Sequence, residues 1–304
     1  MINIGPYDEP FEEEFWKTVN KKINSTIQND IIKSCKKYLP PDFFTSDNNC
    51  FKELILSSFN KLNRAKEYMK KPKYKNIMRT ECFDRDEKRK YPYENIHDAY
   101  EDVVNSSKKG TKMRVRMVKN LNLNVCPYCN RDYINFRAKN VSGAQLDHFF
   151  NRADYPLFSI CLYNLVPVCG NCNRTKSDKN MDFASPFDLS VDWENGIKFS
   201  YKMKSLDEAE LIINTMESLE NNIKEMRIRE AYKIHDVDVK ELLDKKRIYS
   251  ETQTQEFENV LCKMGLTNQD IRRAIFSPEI TTEMMKNKPL GKMMHDLQKE
   301  LEIY

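Results

Sequence analysis

Four cysteines carry the first chemistry legible in the chain. Cys126 and Cys129 stand in CPYC, and Cys169 and Cys172 repeat that spacing in CGNC. A Cys-x-x-C turn aims two thiolates at one point, and two such turns complete a closed tetrahedral site for Zn²⁺. In a reducing cytosol, thiols so paired are zinc ligands far more often than disulfide partners. A redox pair is the alternative for either turn alone; the two together favour structural zinc. Cys35, Cys50, Cys82, Cys161 and Cys262 are scattered and read as small buried apolar residues.

Between the pairs lies Asp147-His148, a carboxylate able to hold a hard cation beside an imidazole that titrates near neutrality. Asn164 opens the apolar run Leu165-Val166-Pro167-Val168, Asn173 follows the last cysteine directly, and Lys176 comes three residues later. In order and spacing these residues resemble the HNH endonuclease pattern of Cys-x-x-C, Asp-His, Asn-Leu, Cys-x-x-C-Asn and Lys. The tail Asn173–Asp178 is similar to the matching segment of the HNH domain in CRISPR effector nucleases. The resemblance covers Cys126–Asp178 and says nothing direct about the rest of the chain.

The resemblance implies a ββα-metal finger stapled by a zinc site of four cysteines. A first strand over Ala144–Phe149 ends near His148, Leu165–Val168 forms a second, and a helix begins around Asn173. It also implies phosphodiester hydrolysis. Asp147 and Asn173 would hold a catalytic Mg²⁺ or Mn²⁺, His148 would be the general base, and Asn164 would orient the loop that bears it. Lys176, and with it Arg174, Arg152 and Arg131, would hold the nucleic-acid backbone. In a plain strand Asp147 and His148 face opposite ways, a tension that the family resolves by placing the pair at a strand end. His97, His235 and His295 lack such neighbours and read as structural.

These residues need elements to hold them. The chain has 304 residues, only 7 glycines and 32% charged residues, which together favour a mainly α (α+β) protein with a real core. The division expected is a helical region over 1–120, an HNH domain over 121–190, and a mostly helical region with a short β segment over 191–304. Phe11, Phe15, Val19, Ile23, Ile27 and Ile31 form one helical stripe that ends before Pro40-Pro41. Phe51, Leu54, Ile55, Phe59 and Leu62 repeat it up to Pro72. Ile197–Met203 alternates as a strand, helical patterns run over 217–248, 254–264 and 289–304, and Thr267 with Asp270 reads as a capping box.

The net charge of +4 is too mild to imply nucleic acid by itself. Two basic runs stand out, Lys61–Lys75 with Tyr68 and Tyr74 interleaved, and Lys108–Lys119 leading into the first cysteine turn. Such runs are usually solvated faces; beside a nuclease motif the second is also a candidate for phosphate contacts. No apolar window is long enough for a membrane span or signal peptide, so a cytoplasmic protein is expected.

Two classes of function follow. One is a metal-dependent endonuclease acting on DNA, with RNA or tRNA as alternatives. The other is a non-catalytic zinc module that binds nucleic acid or protein. An HNH chain with long helical flanks is also similar to nucleases encoded beside ATPases in bacterial antiphage systems (Septu-like and retron-associated), which implies an ATPase partner.

Overall fold

The computed structural model describes residues 1–45, 48–177 and 182–304. It opens with α1 (Glu9–Lys22) and α2 (Ser25–Cys35). The single stripe expected here is split between two helices. Ile23 leaves the helical region at φ −114°, ψ 111°, and Asn24 caps α2 by accepting the Ile27 N–H at 3.0 Å. The second stripe divides likewise into α3 (Cys50–Ile55) and α4 (Phe59–Met69), where Ser58 caps α4. After α5 (Pro72–Cys82) and α6 (Tyr93–Asn105), a small hairpin of β1 (Ser107–Lys108) and β2 (Thr111–Lys112) leads into α7 (Met113–Asn120).

This last segment carries the second basic run, and three of its charges face acids. Lys108 and Arg116 both meet Glu14 of α1, and Arg114 lies 3.9 Å from Glu101 of α6. These three tie the hairpin and α7 to the helices beside them, so a phosphate would compete with Glu14 and Glu101 for them.

The centre of the chain is β3 (Gln145–His148), antiparallel to β4 (Leu165–Val168), followed by α8 (Gly170–Lys176). In the register Asp147 faces Val166 and His148 faces Leu165. All four residues of β4 are buried, as a continuous apolar run requires. The helix begins three residues earlier than the sequence suggests, because Cys169 serves as its cap, its Sγ accepting the Cys172 N–H at 3.4 Å. Asp178, the end of the expected motif, lies outside the described residues.

The final stretch pairs β5 (Ile197–Met203) with β6 (Ala209–Thr215) in an antiparallel hairpin. Helices α9 (Glu217–Glu225), α10 (Ile228–Tyr232) and α11 (Asp236–Ile248) replace one long helical reading. The first break falls at Arg227, which is left-handed at φ 51°. α12 (Glu251–Leu261), α13 (Asn268–Phe276) with the expected Thr267–Asp270 capping box, and α14 (Gly291–Glu300) complete the chain.

The molecule is thus mainly helical with three two-stranded sheets among the described residues. One apolar core runs without interruption through all three stretches into which the sequence divides. Asn130 shows how tightly they join. It sits in the left-handed region (φ 54°), donates to the Met285 carbonyl at 2.8 Å and accepts the Lys292 N–H at 2.8 Å. No helix among the described residues is long and apolar enough to cross a membrane.

Candidate functional site

The two cysteine turns meet. The Sγ atoms of Cys126, Cys129, Cys169 and Cys172 all lie within 4.8 Å of one another, and all four residues are buried. Cys129 and Cys169 are 3.9 Å apart at sulfur, far beyond a disulfide bond and close to the sulfur–sulfur edge of a tetrahedron with metal–sulfur bonds of about 2.3 Å. The Arg131 N–H donates to Cys129 Sγ at 3.4 Å, as the Cys172 N–H does to Cys169. Such donors favour thiolates. Four buried thiols this close cannot all ionise without a cation between them, so the donor set suits a metal ion such as Zn²⁺. Among the described residues this is the one group of three or more Cys, His, Asp or Glu placed to bind a metal.

The site is braced from outside. The Tyr232 hydroxyl donates to the Cys129 carbonyl at 2.7 Å, and the Cys126 N–H donates to the Asp132 carbonyl at 2.9 Å. Arg131, expected near the nucleic-acid backbone, turns instead toward His235, donating to its Nε2 at 3.0 Å.

From this anchor β3, β4 and α8 position the remaining residues. Asp147 is buried on the inner side. Its Oδ1 accepts from Lys176 Nζ at 2.9 Å and its Oδ2 from the Tyr128 hydroxyl at 2.7 Å. Burial raises its pKa, while Lys176 and Tyr128 pull it back down. Lys176 is fully buried and also donates to the His148 carbonyl at 2.9 Å. Its expected phosphate contact is therefore corrected. A lysine enclosed between β3 and α8 cannot reach a substrate backbone.

His148 is half-buried against the Tyr100 ring, 4.6 Å between centroids. Its Nε2 lies 2.9 Å from the Ser159 carbonyl, which can only accept, so Nε2 carries the proton. Burial pushes its pKa down to about 3, leaving a neutral ring whose Nδ1 keeps the free lone pair. Asn164 is buried between the strands and the loop after His148. Its side chain accepts the Phe150 N–H at 2.7 Å and donates to the carbonyls of Phe150 (3.1 Å) and Phe158 (2.9 Å).

Asp147, His148 and Asn173 all line an open cleft of about 750 Å³, together with Arg89, Arg152 and Arg174. Asn173 donates to Gln145 Oε1 at 2.8 Å, which leaves its amide oxygen as the group available to a ligand. Arg174 is exposed and reaches Asn171 Oδ1 at 2.7 Å; the Arg152 guanidinium lies over the Tyr100 ring.

Several contributors carry no sequence signal. Tyr128 lies inside the first cysteine turn, where it passes for a turn residue. Arg89, Tyr100 and Ser159 come from other segments and enter the site only through tertiary packing. No protein-family model, curated protein or solved structure matches this chain.

Proposed function

We propose that the chain is a metal-dependent endonuclease of the HNH type that hydrolyses phosphodiester bonds in nucleic acid, DNA foremost. The observation that carries this reading is His148. It ends a strand beside a four-cysteine cluster, has its Nε2 proton committed to Ser159, and lines a cleft with three arginines. Nδ1 takes a proton from a water molecule, and the resulting hydroxide attacks phosphorus. The bond from phosphorus to one ester oxygen breaks, and that oxygen leaves with its strand and is protonated by solvent. A proton acceptor so placed is worth about 10²–10⁴-fold in rate. A pKa of about 3 is low for a base, and an anionic phosphate entering the cleft favours the imidazolium and lifts it.

Asp147 and Asn173 are the residues that would hold a divalent ion, which when bound would neutralise the phosphate and stabilise the leaving oxygen. Each carboxylate oxygen of Asp147 already accepts one hydrogen bond, so its contribution rests on the remaining lone pairs. Asn173 supplies an amide oxygen. Arg152 and Arg174 take the backbone contacts that the sequence alone would share with Lys176.

The second reading, a non-catalytic zinc module binding nucleic acid or protein, draws support from the same Asp147. Its charge is already balanced by Lys176, as in a purely structural strand end. An ATPase partner in an antiphage system remains part of the proposal. The exposed apolar side chains of Phe257, Val260 and Met264 would suit a protein contact.

The deciding experiment is nicking of plasmid and cleavage of labelled RNA under added Mg²⁺ or Mn²⁺. The neighbouring ATPase, if encoded, is tested alongside. His148→Ala should keep zinc content and the far-ultraviolet spectrum of the wild type while losing most cleavage. Equal cutting by the two proteins, or binding without cutting under any metal, would leave the zinc-module reading in its place.

A further inference from the structure

A second cavity adjoins the cleft. It measures about 500 Å³, and Met69, Met78, Phe83 and Tyr155 form its apolar and aromatic lining, with Lys75 among the charged residues around it. Arg89 and Ala153 belong to both spaces, so the two communicate past them.

Arg89 is the unusual residue. Its guanidinium offers five N–H donors. One nitrogen donates to the Arg152 carbonyl at 3.0 Å, while its Nε is buried with no partner. Neither Arg89 nor Arg152 forms an ion pair among the described residues, whereas Arg64, Arg79, Arg229 and Arg272 do. Burial, then the charge of Arg152, pull the Arg89 pKa below the usual arginine value. The charge of Asp98 acts on Arg89, and Glu87 and Asp154 stand on the cavity wall; beside them the two neighbouring guanidiniums still present a receptor for an anion.

We propose that this second cavity receives one unpaired nucleotide next to the scissile phosphate, with Arg89 holding the phosphate that links the two. Aromatic and thioether side chains offer a base a face to lie on, and Lys75 and Arg89 follow its backbone. The space suits a single nucleotide and is too small for a base pair with its two backbones. The substrate class is therefore nucleic acid with a single-stranded segment at the cut: a flap, a loop or a frayed end. This deepens the nuclease reading and rests on it.

The test uses the full-length protein with a fluorescein-labelled oligothymidylate and the corresponding duplex. Binding is followed by anisotropy without added Mg²⁺, and cleavage with it. The variants are Arg89→Ala, Lys75→Ala and Ala153→Trp, the last two at exposed positions, with zinc content and melting checked for each. Wild type should prefer the single strand. Arg89→Ala should weaken that binding about tenfold and lower the salt slope by about 0.7, one single-strand phosphate. Ala153→Trp should block the passage and remove the preference. An abasic nucleotide beside the cut should weaken wild type about tenfold and leave Ala153→Trp unaffected.

Cleavage with equal preference for duplex in wild type, or Ala153→Trp cutting single strands as wild type does, overturns the cavity while leaving the nuclease reading intact. Single-strand preference that depends on Arg89 and Ala153 in a protein that never cuts supports the cavity and overturns the nuclease reading. No binding to either probe overturns both.

Discussion

Lys176 Nζ lies 2.9 Å from Asp147 Oδ1, with side-chain exposures of 0% and 4%. The pair joins the last turn of α8 to the end of β3, and the same ammonium holds the His148 carbonyl. Two residues that the motif assigns to the substrate and the metal are thus bonded first to each other. The consequence is architectural. α8 is fixed against the strand that presents His148, and Asn173, on the same helix, is placed with it.

Removing one partner of a buried ion pair leaves the other charge stranded, at a cost of about 3–5 kcal/mol. Lys176→Met should therefore lower the denaturant midpoint strongly, and Asp147→Asn in that background should recover part of the loss. A phosphate contact would act otherwise: stability would hold, and the salt dependence of binding would flatten. Unchanged stability with a reduced salt slope would return Lys176 to the substrate.

The cysteine cluster makes a second expectation. One Zn²⁺ per chain should be found by elemental analysis, with apparent binding worth about 10–16 kcal/mol in sites of this type. Cys169→Ala should remove a zinc ligand and the cap of α8 together, because Cys169 Sγ also accepts the Cys172 N–H. The variant should lose metal and disorder the helix bearing Asn173 and Lys176. A folded protein free of zinc would refute the metal assignment.

The cysteine cluster and the strand–strand–helix order are legible in the sequence because both depend on local spacing. Cys126 to Cys129 is one turn, and Leu165–Val168 is an unbroken apolar run. The partners of those residues are not legible. Lys176 at the end of a motif looks like a free cation, and nothing local says that it folds back onto Asp147, 29 positions away. Lys108, Arg114 and Arg116 likewise read as a basic surface until α1 and α6 bring Glu14 and Glu101 against them. Helix breaks at Ile23 and Arg227 leave no trace in the pattern because the apolar periodicity continues across them, while the backbone conformation does not.

His148 gives a prediction in pH. Its folded pKa of about 3 lies below the ordinary value of 6.5, so the unfolded chain takes up the proton first as pH falls. Its contribution to stability is complete above 6.5 and is lost progressively toward 3. Denaturant midpoints of wild type and His148→Gln should converge as pH is lowered from about 7 to about 4, wild type losing more. Parallel pH curves would show that the ring is not held neutral by the fold.

The last prediction concerns the divalent ion and separates a ligand from its support. Gln145 Oε1 accepts from Asn173 Nδ2 at 2.8 Å, which turns the amide oxygen of Asn173 to the free side. If that oxygen binds Mg²⁺, Asn173→Ala should raise the Mg²⁺ concentration needed for half-maximal cleavage, and added metal should restore part of the rate. Gln145→Ala should cause a smaller shift in the same direction, by about the 0.5–1.5 kcal/mol of one hydrogen bond. The double variant should be no worse than Asn173→Ala, since the support has nothing left to orient. Asp147→Ala differs: it removes the only carboxylate among these residues and strands Lys176, so added metal should not rescue it. Full additivity of Gln145→Ala and Asn173→Ala would mean that the two act separately, and the amide would then not be the ligand.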